Sequence, residues 1–341
     1  MTWRGSLVAA LLATLVHPRW WLLALAGFLV RGGVLIVLLP IVAPPTVAGL
    51  MSFLAPTLIG QIISGGPGAP IAVVAIATAL IVTAFLSIAA WLGTWFDATL
   101  ITEAAGDDDL GAAVSAAEPS ATERPATAAD DRPPGLGTAR LGPHVLTGLA
   151  FVFAAARIFS IAYREATTPG APTIPFVVRV IQGAPEAVIA LLVAWVLAEA
   201  VGGLALRDLL LRSSGEGDAR DETSPPPPAR WALVHGIRDL ATPRGLATLL
   251  VVDLGVIVVA APGWFAMQHA WDQLRILLSG GAEATDLAIG LGLFVAVTFG
   301  SAVLLAVALA WRSAAWTAVV ARSDRHAAAT RDVGGVTLGA E

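Results

Sequence analysis

Leu287-Ala288-Ile289-Gly290-Leu291-Gly292-Leu293-Phe294-Val295-Ala296-Val297-Thr298-Phe299-Gly300-Ser301-Ala302-Val303-Leu304-Leu305-Ala306-Val307-Ala308-Leu309-Ala310-Trp311 contains no charged side chain. Wound as an α-helix, a run of this length reaches about 37 Å, more than the ~30 Å hydrocarbon core of a bilayer. Working outward, further apolar segments of about the required 20 residues occupy Trp20–Ile41, Ile71–Phe96, His144–Ala162, Ala187–Leu206 and Leu246–Phe265. Together they predict an all-α, polytopic transmembrane helical bundle of about six spanning helices.

Composition agrees. Hydrophobic residues make up 57% of the 341 and charged residues 13%, with mean hydropathy +0.79, against about 25% charged in soluble domains. Such a chain cannot cover itself with a polar surface in water. Cysteine is absent, which excludes disulfides, thiolate nucleophiles and Cys-ligated metals. The absence of Lys and Asn, with a single Tyr, points to a GC-rich bacterial source. The net charge of -5 gives no footprint for nucleic acid.

Two polar stretches interrupt the apolar pattern, and they divide the chain. Residues 1–96 read as a first transmembrane hairpin, 97–141 as an acidic loop, 142–212 as a second hairpin, 213–229 as a Pro-rich loop, 230–316 as a third hairpin and 317–341 as a tail. The loop centres lack the apolar content needed to offset the entropy of ordering. Pro225–Pro228 reads as a stiff spacer in preference to a polyproline ligand for a partner. At the N-terminus, Arg4 and the apolar run Leu7–Val16 have the length of a signal sequence. His17-Pro18-Arg19 follows, however, where a cleavage site needs small residues, so the segment is expected to be retained.

Arginine placement predicts the orientation. Fifteen arginines lie in the N-terminus (Arg4, Arg19), the two long loops (Arg124, Arg132, Arg140; Arg207, Arg212, Arg220, Arg230, Arg238, Arg244) and the tail (Arg312, Arg322, Arg325, Arg331). The other connections hold only Arg164, Arg179 and Arg275. By the positive-inside rule both termini and both long loops are cytoplasmic, in a multi-pass bacterial inner-membrane protein.

An internal repeat is the second organising signal. Each hairpin opens with proline and a basic residue: Pro18-Arg19, Pro143-His144 and Pro243-Arg244. Proline suits a first helical position, where no backbone donor is needed. Each then carries an ionisable residue (Arg31, Arg157, Asp253), an outer turn of small residues (Ser64-Gly65-Gly66, Gln182-Gly183-Ala184, Ser279-Gly280-Gly281) and tryptophans near the inner end of the return helix. The outer connections Thr46–Ser64, Phe176–Gln182 and Trp264–Leu278 are apolar enough to lie as interfacial helices.

Ionisable residues inside the bilayer are the candidate sites: Arg31, Arg157, Glu186, Glu199 and Asp253. A lone arginine at mid-bilayer costs about 2.5–3.5 kcal/mol on insertion scales, so each needs a partner. Similar depth suggests pairing Arg31 with Asp253, with Glu199 next in line for Arg31, and sets Arg157 beside Glu186. Proton or ion passage and anionic-headgroup binding are the functional readings; ion pairs that fix helix packing are the structural one. Asp107-Asp108-Asp109 lacks the spaced ligands of a calcium loop and reads as a solvated charge run. The five histidines lack zinc spacing, and no nucleophile elbow, phosphate loop or dinucleotide fingerprint is present. No cofactor, metal or catalytic group is therefore expected. Glu103-Ala104-Ala105 after a spanning helix resembles the coupling loop of ABC-transporter permeases, but the spaced Gly and the downstream Ile-x-Leu-Pro-like element of that pattern are missing.

The expected function is a non-enzymatic scaffold, assembly or lipid-interacting component, its partners the bilayer and an unidentified membrane or cytoplasmic protein. The alternative is a small transporter or channel using the five charges. The orientation has a direct test in this cysteine-free chain: with single cysteines at Ser120, Ser224 and Ser64, an impermeant maleimide applied to intact cells should label Ser64 alone. Labelling of Ser120 or Ser224 with Ser64 silent reverses the orientation.

Overall fold

The computed structural model describes residues 3–38, 69–107, 135–167, 179, 182–215 and 228–336, and every regular element among them is helical. In chain order these are α1 (Trp3–Val16), α2 (Pro18–Phe28), a wide turn at Leu29–Gly33, α3 (Val34–Leu38), α4 (Ala69–Ala105), α5 (Leu136–Leu141), α6 (His144–Thr167), α7 (Pro185–Gly215), α8 (Ala229–Leu240), α9 (Pro243–Thr248), a second wide turn at Leu249–Asp253, α10 (Leu254–Ser279) and α11 (Ala284–Val336). Among the described residues four helical stretches are long and apolar enough to cross a membrane: Leu136–Ile158, Pro185–Leu211, Pro243–Ser279 and Ala284–Ala321. The bent pair Trp3–Val16 and Pro18–Gly33 makes a fifth if counted as one span.

The ends of these helices differ from the expectation. The described parts of all six apolar segments are helical apart from the break at Arg31 and Gly32, but α4, α7 and α11 run on for turns beyond their apolar cores, into stretches assigned to loops and tail. Trp264–Leu278 is not a separate interfacial helix. It is continuous with the helix that begins at Leu254, and Pro262 sits inside that helix without ending it. Thr46–Ser64, the loop centres and nearly all of Phe176–Gln182 lie outside the described residues.

Two compact units divide the chain, one formed by Met1–Pro40, Trp91–Gly142 and Ala200–Glu341, the other by Ile41–Ala90 and Pro143–Glu199. In the first, α1 and α2 pack on α11 through Leu7, Ala10, Trp20 and Ala24 against Ala310, Ala314, Ala315 and Trp316. Alanine lets backbones approach where lipid supplies no hydrophobic drive for association. The indole donors that burial would orphan are satisfied: Trp3 Nε1 donates to Thr248 Oγ1 (3.0 Å) and Trp311 Nε1 to the Leu7 carbonyl (3.2 Å). The second unit is built on α6 and the start of α7, whose contact is made by Ala154, Ile161, Ala184 and Ala187.

Proline sets the bends. Pro18 cannot donate to the preceding turn, so α1 ends at Val16 and the chain turns by 97° into α2. The carbonyls freed at the end of α1 are taken by side chains: His17 Nδ1 lies 2.8 Å from the Ala13 oxygen, and Trp21 Nε1 donates to the Thr14 oxygen at 2.7 Å. Before Pro243, Thr242 caps the next helix by accepting from the Gly245 amide at 2.9 Å. Positive φ calls for glycine at Gly32 (98°), which breaks the helix beside Arg31, at Gly135 (88°), which precedes α5, and at Gly281 (68°), which closes the turn from α10 to α11.

Close approaches separate glycines that matter from those that do not. A methyl group at Gly245 would collide with the Asp239 backbone, and one at Gly202 with the Arg140 carbonyl, whereas Gly148 and Gly300 face open space. Gly245→Ala and Gly202→Ala should each lower the thermal midpoint in detergent. Gly148→Ala and Gly300→Ala should leave it unchanged or raise it slightly, since alanine gains about 0.5–1 kcal/mol over glycine inside a helix. Equal behaviour of the two sets would contradict this packing.

Candidate functional site

Each candidate charge is engaged inside an antiparallel helix pair. In the first unit α2 runs antiparallel to the end of α4. His17 Nε2 lies 3.2 Å from Asp107 Oδ2, Arg19 Nη2 is 2.9 Å from Glu103 Oε1, and Arg31 Nη1 donates to Asp97 Oδ2. Glycine makes room for that last contact. A Cβ at Gly93 would stand 2.6 Å from Arg31 Cγ, and one at Gly27 would stand 3.5 Å from Asp97 Oδ1. The Asp97 oxygen that binds Arg31 also accepts from Arg140 Nε at 2.9 Å. Arg140, on α5, is 2% exposed, so Asp97 ties α2, α4 and α5 through one carboxylate.

In the same unit α9–α10 runs antiparallel to α11. Arg312 Nε donates to Asp253 Oδ1 at 2.6 Å, and Ser301 Oγ donates to the Gly263 carbonyl at 3.0 Å further along the pair. The second carboxylate oxygen of Asp253 is buried without a hydrogen-bond partner among the described residues. Between these two ion pairs in chemistry stands Arg207 on α7, which is buried and makes no direct contact with a carboxylate in its hydrogen bonds. Its guanidinium donates to Thr317 Oγ1 (3.2 Å), the Gly203 carbonyl (2.9 Å), and the Ser313 carbonyl and Oγ (3.1 and 2.9 Å). Only arginine carries five donors in a rigid fork, which is how a cation can be held by neutral oxygens on two helices.

In the second unit α6 and α7 run antiparallel. His144 Nε2 lies 3.5 Å from Glu199 Oε1, Thr147 Oγ1 donates to the Ala194 carbonyl at 3.4 Å, and Arg157 donates through Nε (3.1 Å) and Nη2 (2.8 Å) to Glu186 Oε1. Glu199 is 8% exposed, whereas Arg157 and Glu186 are each about half exposed.

The partners correct the expectation. Arg31 does not pair with Asp253: Arg31 takes Asp97 and Asp253 takes Arg312, while Glu199 meets His144. The Arg157–Glu186 pair does form, as their common depth suggested. Sequence reasoning missed Asp97, Arg140, Arg207, Arg312 and His144 as site residues, because all lie at or just beyond the apolar boundaries and were counted with loops or helix starts. Glu103 ends α4 bound to Arg19, and Asp108 and Asp109 lie outside the described residues. Among the described residues no group of three or more His, Asp or Glu side chains is placed to hold a metal ion. The chain matches no protein-family model, no curated protein and no solved structure.

This arrangement ranks the charges. Asp97→Asn strips the anion from two guanidiniums, one of them fully buried, while Glu186→Gln strips it from one half-exposed arginine. Asp97→Asn should therefore cost about 3–5 kcal/mol, as breaking a buried ion pair does, and Glu186→Gln much less, because its pair is half exposed. Thermal unfolding of the two variants in one detergent checks the order, and a larger loss for Glu186→Gln would overturn it.

Proposed function

We propose that this chain is a non-enzymatic component of a bacterial inner membrane, a scaffold or assembly subunit working in contact with lipid and using no cofactor. The observation that carries the reading is the engagement of all five intramembrane candidates by side chains of their own helix pair. Charges committed to one another at helix contacts are suited to choosing and holding neighbours. Large apolar side chains such as Leu149, Val152, Leu250 and Phe299 stand exposed along the same helices, as lipid contact requires.

The topology proposed with it has six spans in three related hairpins, with both termini and both long loops cytoplasmic. Several features support the repeat. A short helix precedes each proline-started long helix: α1 before Pro18, α5 before Pro143 and α8 before Pro243. In two copies a wide turn holds the ionisable residue, Arg31 in Leu29–Gly33 and Asp253 in Leu249–Asp253. In all three a polar pair joins outgoing and return helices: Arg31–Asp97, His144–Glu199 and Asp253–Arg312. The second reading, a small transporter or channel, draws on the buried Arg207, held by neutral oxygens of α7 and α11, and on the buried second carboxylate oxygen of Asp253, which has no partner among the described residues.

Exchanging a pair separates the readings. Asp253→Arg and Arg312→Asp should each destabilise the protein, and the double exchange should recover most of the loss. Proteoliposomes of the wild type and of the double exchange should leak protons and ions no faster than empty vesicles. A wild-type leak that the exchange abolishes, with stability restored, would replace the scaffold by the transporter.

A further inference from the structure

Helices α1 and α8 each pack one face on their unit and leave the other bare. On α1 the packed face is Ser6, Leu7, Ala10, Ala13 and Thr14, while Val8, Leu11, Leu12 and Leu15 are exposed at helical spacing. On α8 the packed face is Ala232, Gly236 and Leu240, while Val234 and Ile237 are exposed at 64% and 57%. Apolar side chains left bare in this pattern need an apolar medium. They are also flanked by cations: Arg4 at the start of α1, Arg230 and Arg238 on α8, and Arg244 just after it are all exposed. The neighbouring carboxylates offer no counterweight, because Glu103 is bridged by Arg19, Asp107 by His17, and Asp239 is half-buried.

Geometry says which medium. The axis of α1 meets that of the following helix at 97°. If α2 and the turn after it enter the bilayer along its normal, α1 lies in the plane of the membrane at the level where α2 begins. A helix lying there with leucine and valine on one side and arginine at its edge has the form of an interfacial helix, apolar face in the acyl boundary and guanidiniums among the headgroups. We propose that the bare faces of α1 and α8 are a docking surface for anionic phospholipid in the leaflet at the N-terminal ends of these spans. Arginine binds a lipid phosphate bidentately, and a juxtamembrane cation gains from an anionic leaflet what it does not gain from a zwitterionic one. The inference rests on the reading of the chain as a lipid-contacting membrane component and names the lipid class and the surface.

The test uses the full-length chain, whose lack of cysteine allows single cysteines at Leu12 and Val234 to carry an environment-sensitive fluorophore. The labelled proteins are reconstituted into vesicles of phosphatidylcholine alone or with phosphatidylglycerol. With phosphatidylglycerol present, both labels should emit as in an apolar medium and be quenched by brominated lipid. Reversing Arg4, Arg230, Arg238 and Arg244 together to Glu should move both labels toward water and lower the phosphatidylglycerol retained after purification at least about fivefold. Labels in water in both vesicle types overturn the proposal, as does burial that ignores both lipid charge and arginine reversal. Labels in water in vesicles but covered in native membranes would assign the faces to a protein and overturn it equally. The scaffold reading is judged separately, on the same vesicles, by whether the wild-type protein leaks protons or ions and the Asp253/Arg312 exchange abolishes that leak.

Discussion

A guanidinium carried on an apolar helix must find oxygen before that helix can leave water, and in this protein one carboxylate answers two of them. Asp97 binds Arg31 from the wide turn after α2 and Arg140 from α5 through the same oxygen, with Arg140 buried and the other two groups mostly so. Three elements far apart in sequence are thereby held at one point. The chain has no lysine, so every permanently cationic side chain is an arginine. A compact ammonium on a flexible stem would be harder to desolvate there and could not reach two helices with oriented donors, as Arg207 does toward Gly203, Ser313 and Thr317.

Those contacts depend on small residues and breaks that bring the helices close enough. Gly93 leaves space for the Arg31 stem, Gly27 lets Phe96 come close beside Asp97, and the positive φ of Gly32 redirects the chain immediately beyond Arg31. Gly202 lies against the Arg140 backbone, and alanines at 310, 314 and 315 give α1 and α2 a smooth surface. Proline contributes by stopping helices. The break at Pro18 frees carbonyls that His17 and Trp21 then occupy, so the bend is bonded as well as bent. Charge pairing and close packing are therefore one construction: removing a glycine moves an arginine, and removing an aspartate leaves the space with no purpose.

The parts of this that were legible from sequence are those that depend on the solvent. Hydropathy locates the apolar helices, proline marks the starts of α2 and α9, and glycine marks the turn at Gly280 and Gly281. Helix ends were not legible, because hydropathy measures the thickness of the lipid and a helix stops only where packing or a breaker stops it. Asp97 follows directly on Phe96 and Arg312 on Trp311, so both read as the first residues of water-facing segments, whereas each lies inside a helix that runs on beyond it. The partners of Arg31 and Asp253 were misjudged for a related reason. Depth alone matches those two residues, yet depth says nothing of which helix is adjacent. An antiparallel return helix presents its own charge at the same level, and Asp97 and Arg312 are what it presents. Arg157 lies inside its apolar segment and Glu186 one residue before the next, so their closeness in depth is legible in the sequence, and they meet.

The polarity of the pairs gives them a meaning beyond local neutrality. On α2 and α4 the arginine is on the outgoing helix and the aspartate on the return; on α9–α10 and α11 the order is reversed. Were α4 and α11 to exchange places, Arg31 would face Arg312 and Asp97 would face Asp253. Neither pair of like charges has water to screen it in an apolar setting, so each would cost several times what the same contact costs at a soluble surface. Apolar faces made of Ala, Leu and Val offer little to tell one neighbour from another, since lipid and helix are chemically alike to them. Reversed ion pairs supply that discrimination at little cost to the correct arrangement, where every charge is met. Reversed pairing therefore favours the observed neighbours over the exchanged ones, among helices of nearly interchangeable surface.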